Sequence, residues 1–133
     1  MNIPGRITII DDDSINNLFS KIVIKEAVGE GVDIRTFTHP RKAVEMIETE
    51  YAENPVKTIL FLDINMPVFN GWEVLEQLEN SDVNIKKYIT IYMLSSSVDP
   101  IDMKRSQNSP LVKGLVEKPL DVPKLREICG ISH

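Results

Sequence analysis

The sequence predicts an α/β domain with a five-stranded parallel sheet and helices on both faces. Three observations lead there. Strand-like and helix-like segments alternate five times along the 133 residues, the pattern of parallel strands joined by right-handed crossovers. The strand-like runs are continuously apolar and rich in β-branched residues, as strands covered on both faces must be. Four of these runs also deliver polar groups at their C-terminal ends, the edge where open α/β sheets bind ligands.

Ile7 to Ile10 is the first strand. A helix follows from Ser14 to about Ala27 and gathers Ile15, Leu18, Phe19 and Ile22 on one face. Asp13 or Ser14 can cap it, and Gly29 and Gly31 break it. Val32 to Phe37 forms the second strand. Pro40 opens a helix carrying Ala43, Val44, Met46 and Ile47, which ends near Asn54-Pro55. Thr58 to Asp63 is the third strand, and Pro67 to Gly71 a loop. Trp72, Leu75 and Leu78 then mark the buried face of a helix. Tyr88 to Leu94 is the fourth strand, followed by a short polar helix from Pro100 to about Gln107. Leu111 to Val116 is the fifth strand, and Pro123 to Cys129 a last helix that holds Leu125 and Ile128.

Composition bounds the function classes. A chain of this length buries roughly 70% of the surface it exposes when unfolded, so it needs no staples. The net charge of -5 and scattered basic dipeptides argue against a nucleic-acid footprint. Cys129 is the only cysteine, which forbids an intramolecular disulfide and fits a reducing compartment. No apolar run approaches the ~20 residues of a membrane span, and the N-terminus lacks the pattern of a signal peptide. The expected setting is cytoplasmic, with no membrane partner.

The strand ends carry the chemistry. Asp11, Asp12 and Asp13 form a solvated loop and helix cap in the plain reading. Adjacent aspartates raise each other's pKa, however, unless something neutralises them, and a divalent cation does so. Oxygen ligands without His or Cys favour Mg2+ or a similar hard ion. Asp63 ends a fully apolar strand. Alone it caps a turn; beside the first cluster it is a third carboxylate, and a carboxylate can form an aspartyl-phosphate. Ser95, the first polar residue after Leu94, either opens a loop or donates to a phosphoryl oxygen. Lys118, biased to an extended conformation by Pro119, is either a surface lysine or a point charge for a carboxylate or phosphate. Trp72 and the methionines read as core, and Cys129 as a buried small hydrophobe. His39 sits in a turn with no functional partner in the pattern.

Taken together, the segments IIDDDS (9–14), LDINMPVFNGWE (62–73), MLSSS (93–97) and EKP (117–119) resemble the receiver domain of two-component response regulators, the family of the chemotaxis regulator. The resemblance covers essentially the whole chain. It implies the flavodoxin-like strand order 2-1-3-4-5 and a single receiver domain over 1–133 with no output domain. It makes Asp63 the phosphoacceptor, taking a phosphoryl group from a phosphohistidine donor. Mg2+ would be held by Asp11, Asp12, Asp63 and the backbone carbonyl of Asn65, one of the first two acids acting through water. Ser95 takes the place of the family's hydroxyl and Lys118 that of its lysine, with a cis peptide between Lys118 and Pro119. The implied partners are a histidine kinase or histidine phosphotransfer protein and a downstream protein. Enzymatic activity would be confined to the chain's own phosphorylation and dephosphorylation.

One position departs from the family. Many receivers carry an aromatic residue three before the lysine on strand five; here it is Leu115, which bears on how the signal is read out. A different class fits some of the same residues. Haloacid-dehalogenase-like phosphatases use a strand-end Asp-x-Asp, then Ser or Thr, then Lys, and Asp11, Asp13, Ser95 and Lys118 could fill those places with Asp11 as nucleophile. That family needs a further acidic strand end, and only Asp121 lies there, with no strand after it. Asp63 and the Met66-Pro67 turn would also go unexplained.

Overall fold

The structure, a computed structural model, describes residues 3–81 and 83–131. Met1, Ser132 and His133, which enter the expectation of a chain without an output domain, lie outside them. The strands are β1 (Arg6–Ile10), β2 (Asp33–Phe37), β3 (Thr58–Asp63), β4 (Ile89–Ser95) and β5 (Val112–Glu117). They are all parallel and lie in the order β2-β1-β3-β4-β5, as the family resemblance implies. The helices are α1 (Ser14–Val28), α2 (Pro40–Glu53), α3 (Gly71–Glu79), α4 (Val83–Tyr88), α5 (Pro100–Gln107) and α6 (Val122–Cys129).

β1 and β3 are buried at every position, because helices cover both faces. One core joins Leu60, Leu62, Ile91 and Met93 to Val44, Ile47, Trp72, Leu75 and Leu78 of α2 and α3. The other joins Ile7, Ile9, Phe61 and Leu94 to Val23 and Ile24 of α1 and Leu125 and Cys129 of α6. Trp72 and Cys129 are core residues, as expected. Helix starts are fixed by side chains: Asp13 accepts from the amides of Ile15 and Asn16, Asp99 from those of Ile101 and Asp102, and Asp121 from that of Lys124. Asn70 and Glu73 close a reciprocal capping box at α3.

One expectation is corrected. Tyr88 does not open the fourth strand. It ends α4, a short helix that pattern reading missed, and pairing with β3 begins only at Ile89 opposite Thr58. Among the described side chains of Asn84-Ile85-Lys86-Lys87-Tyr88 only Ile85 is completely buried, and a turn and a half of helix leaves too short a period to register. The apolar residues Ile15, Leu18, Phe19 and Ile22 of α1 share a face, and that face is turned to solvent, 48–78% exposed. The inward side starts with Asn17 and Ser20. Asn17 is needed there because its Nδ2 donates to the carbonyl of Asp11 at 2.9 Å and that of Phe37 at 3.4 Å, tying β1 to β2 at the carboxyl edge.

The opposite, amino-terminal edge is held by charge. Arg6, buried on β1, meets Asp33 at 2.8 Å and Glu50 at 3.2 Å, and donates to the Tyr51 hydroxyl at 3.2 Å. Arg35 meets Asp33 at 3.3 Å and also pairs with Glu50. Two guanidinium groups and two carboxylates thereby close a neutral ring across β1, β2 and α2. The Arg6 bond, opposed by burial and aided by Arg35, holds the Asp33 carboxyl below its ordinary value. A carboxyl depressed in the folded state adds stability above the unfolded pKa of about 3.9, and that stability is lost as pH falls through the folded value. We expect Asp33→Asn to lower the melting temperature at pH 7, and the gap from wild type to close as the pH is taken below about 4. Thermal melts across that range check it; a gap that stays constant with pH would refute the ionic role.

Candidate functional site

Sheet register assembles the site. Ile10 lies opposite Leu62, so Asp11 and Asp63 emerge side by side. Asp63 lies opposite Leu94, and Ser95 opposite Glu117, so Ser95 and Lys118 follow on the same edge. Asp11, Asp63 and Ser95 are each at most 2% exposed. Asp12 is exposed and makes no hydrogen bond or ion pair among the described residues. The carboxylates of Asp11, Asp12 and Asp63 offer oxygens that all lie within 4.8 Å of one another.

Lys118 stands between the two buried acids, with its Nζ 3.2 Å from Asp11 Oδ2 and 3.1 Å from Asp63 Oδ1. The Lys118–Pro119 peptide is cis. Asp11 has further donors besides Lys118: the Asp13 amide donates to Oδ1 at 2.9 Å and Asn16 Nδ2 to Oδ2 at 2.6 Å. Asp63 has fewer donors. The Asn65 amide reaches its Oδ1 at 3.2 Å, and among the described residues nothing bonds its Oδ2. This asymmetry separates the two acids. Burial works against ionised Asp11, but the Asp13 amide, Asn16 and Lys118 outweigh it and hold its pKa low. Burial and the charge of Asp11 push Asp63 up to about 6 against the pull of Lys118 and Asn65. Burial also opposes the Lys118 ammonium, yet Asp63 and Asp11 keep its pKa above the ordinary lysine value.

Ser95 is at the edge but turned within its own loop. Its hydroxyl donates to the Ser97 carbonyl at 2.6 Å and accepts from the Ser97 amide at 3.2 Å. The loop after Asp63 is tightly built. The Phe69 amide donates to the Pro67 carbonyl at 2.8 Å, a γ-turn whose central residue, Val68, has φ 72°. That conformation is strained, all the more so for a β-branched residue. The loop is pinned by buried Phe69, whose ring lies under the Arg41 guanidinium at 4.3 Å. Gly71 closes it by donating to the Ile64 carbonyl at 3.0 Å. A Cβ on Gly71 would collide with the Asp63 carbonyl and stand 2.9 Å from Ile64 Cα.

The structure thus brings together Asp11, Asp12, Asp63, Asn65, Ser95 and Lys118. Asp13 and Asp121 are helix caps, and His39 is the exposed residue at the N-cap position of α2. Pattern reading missed Asn16 and Asn17, which fix Asp11 from the first turns of α1. The signal was two adjacent amides on a helix opening directly after an acidic cluster.

The donor set fits a hard divalent cation. It consists of oxygen ligands only, with one acid unpartnered and two others carrying more negative charge than one ammonium offsets. The family model for the response regulator receiver domain matches residues 7–129. The chain belongs to the response regulator receiver domains. Receiver domains of this family generally bind Mg2+ at such an acidic pocket and act in two-component signalling with histidine kinases and effectors. Among solved structures, a two-component response regulator from Cytophaga hutchinsonii is 30% identical, with TM-score 0.83 and 92% of each chain covered. A response regulator receiver protein from Dyadobacter fermentans is 27% identical, with TM-score 0.81, covering 92% of this chain and 93% of that one. The fold is also shared with the receiver domain of a signal transduction histidine kinase from Syntrophus aciditrophicus, at 19% identity and TM-score 0.72, covering 95% of this chain and 87% of that one. No curated protein matches the chain. Among the described residues, no helix is long and apolar enough to cross a membrane.

Two outcomes follow from this geometry. Gly71→Ala should destabilise the receiver by about 1–3 kcal/mol through overpacking and shift the backbone amide signals of 63–65 in NMR; an unperturbed site would refute the close approach. In metal-free protein the Asp63 carboxyl should titrate near about 6 by carbon-detected NMR. Its raised pKa penalises folding above that pH, so Asp63→Asn should melt a few degrees higher than wild type at pH 7. A lower melting temperature would contradict the assignment.

Proposed function

We propose that this receiver takes a phosphoryl group onto Asp63 from a phosphohistidine donor and passes the signal through a protein partner. The observation that carries the reading is the state of the Asp63 carboxylate. Lys118 and the Asn65 amide hold Oδ1, which leaves Oδ2, without a bonded partner among the described residues, as the attacking oxygen. Oδ2 attacks phosphorus, the P–N bond of the donor breaks, and its electron pair returns to the imidazole nitrogen. Lys118 stays protonated and balances charge on Asp63 and the incoming group. Asp11, Asp12, Asp63 and the Asn65 carbonyl would hold Mg2+, which when bound screens the carboxylate from the phosphoryl group and neutralises developing charge. Ser95 gives up its bond to the Ser97 carbonyl to donate to a phosphoryl oxygen. Hydrolysis of the aspartyl-phosphate by water returns the resting state.

The outward apolar face of α1, with Ile15, Leu18, Phe19 and Ile22, is the docking surface we assign to the donor, a histidine kinase or histidine phosphotransfer protein. It adjoins Asp12 and Asp13 in sequence and so lies beside the acidic edge. The acidic net charge and the absence of a basic stripe favour a protein rather than nucleic acid as downstream partner. The single buried thiol Cys129, its pKa raised by burial, suits a reducing, cytoplasmic setting, and we read the chain as a single receiver unit. The phosphatase alternative finds no support: both oxygens of Asp11 are taken by donors, and Asp13 and Asp121 are occupied as caps.

Incubation with phosphoramidate and Mg2+, followed by peptide mapping, should place one adduct on Asp63 and none in Asp63→Asn. Lys118→Ala should lower the rate by at least tenfold, the effect of removing a charge-stabilising group. An adduct on Asp11, or an unchanged yield in Asp63→Asn, would overturn the reading.

A further inference from the structure

Lys118 holds its ammonium between two buried acids at the end of a long, flexible stem. Both contacts, 3.2 Å to Asp11 and 3.1 Å to Asp63, are made at once. Such a tip is only as well placed as the backbone from which it springs. Lys118 lies just past β5, in the connection to α6. Its own amide donates to the Ser95 carbonyl at 2.7 Å. That leaves the carbonyls on either side of it, those of Glu117 and Pro119, to be fixed.

One group fixes both. Lys124 Nζ donates to the Glu117 carbonyl at 2.9 Å and to the Pro119 carbonyl at 3.2 Å. The Glu117–Lys118 peptide unit is therefore bonded at both ends, its N–H to Ser95 and its C=O to Lys124. Asp121 completes the clamp: its Oδ1 accepts from the Lys124 amide at 2.9 Å, and its Oδ2 lies 3.8 Å from Nζ. An ammonium carries three donors, and Lys124 has three oxygens around it. Among the described residues it pairs with neither Asp11 nor Asp63.

The place of this lysine in its helix is otherwise unfavourable. Lys124 sits three residues after the Asp121 cap, in the first turn of α6, where the helix dipole disfavours a cation. The same position of α3 holds Glu73, which closes a capping box. A lysine without a task would also extend into solvent, whereas the Lys124 side chain is 37% exposed. A residue that breaks a local preference marks a demand from elsewhere. Here the demand is two carbonyls that flank Lys118.

We infer that Lys124 is a positioning residue for phosphoryl transfer, one that fixes the backbone on both sides of Lys118 and so sets the Lys118 ammonium between Asp11 and Asp63. The inference rests on Asp63 being the phosphoacceptor. Lys124 touches no reacting atom and acts only through Lys118.

The full chain and its variants are treated with phosphoramidate and Mg2+, and the rate of adduct formation is followed by intact mass. Lys124→Met keeps the apolar stem and removes the donors. It should slow the reaction about threefold to fivefold, less than Lys118→Ala does, because misplacing a charge costs less than removing it. Lys124→Arg, whose fork can bridge the same two carbonyls, should restore most of the rate. In a Lys118→Ala background, Lys124→Met should slow the reaction no further. Without metal or phosphodonor, the proton–nitrogen NMR signal of the Lys118 ammonium should be resolved in wild type and in Lys124→Arg, and broadened or lost in Lys124→Met. Should Lys124→Met fail to fold, Lys124→Gln, which keeps one uncharged donor, is read by the same two measures. A Lys124→Met protein with wild-type rate and an intact Lys118 signal overturns the inference. So does an equal slowing in the Lys118→Ala background, which would make Lys124 a general brace of the loop. Absence of any adduct in wild type sinks the phosphoacceptor reading, and the resting Lys118 signal still judges the clamp.

Discussion

The ammonium of Lys118 is the interaction on which the working edge depends. Three carboxylates converge at the ends of β1 and β3, and two of them are almost wholly buried. Lys118 reaches both buried acids at once, at 3.2 and 3.1 Å. Three negative charges against one positive leave two uncompensated, which matches one divalent cation. The remaining donors are shared unequally. Asp11 receives the Asp13 amide and Asn16, and becomes the settled member of the pair. Asp63 receives one backbone amide besides Lys118, and remains the reactive member. Two chemically identical groups are thus assigned different tasks by the hydrogen bonds around them.

Much of this was legible in the sequence because strand ends announce themselves. A run such as Thr58 to Leu62 is wholly apolar, and the acid that follows it stands out. The same holds for Asp11 after Ile10 and Ser95 after Leu94. Local pattern could not supply the register that sets Asp11 beside Asp63, and the strand order came from resemblance to a family. Nor could it show which way α1 faces. Periodicity groups Ile15, Leu18, Phe19 and Ile22 correctly, but burial is decided by what the rest of the domain needs inside, and there Asn17 was needed to join two strand ends. α4 escaped notice for a different reason: six residues are too few to carry a readable period.

The loop between β3 and α3 shows how closely site and scaffold are built together. Val68 holds a backbone conformation that valine disfavours, with its side chain almost entirely in solvent. Pro67 before it and buried Phe69 after it leave the chain little choice, and Gly71 brings the first turn of α3 against the Asp63 backbone. Strain of this kind, on the order of 1–3 kcal/mol, persists only where the surroundings over-determine it. The loop is over-determined on the side that faces the chemistry, while α5 across the cleft buries only Ser106 of its eight residues.

The ring of Arg6, Arg35, Asp33 and Glu50 gives the sheet a foundation at the end away from the acids. It is neutral within itself and shares no hydrogen bond with Lys118 or its partners. Charge can therefore be added to one end of the sheet while the other end keeps the strands aligned. The domain behaves as a beam clamped at one end, and whatever the free end does need not cost the molecule its fold.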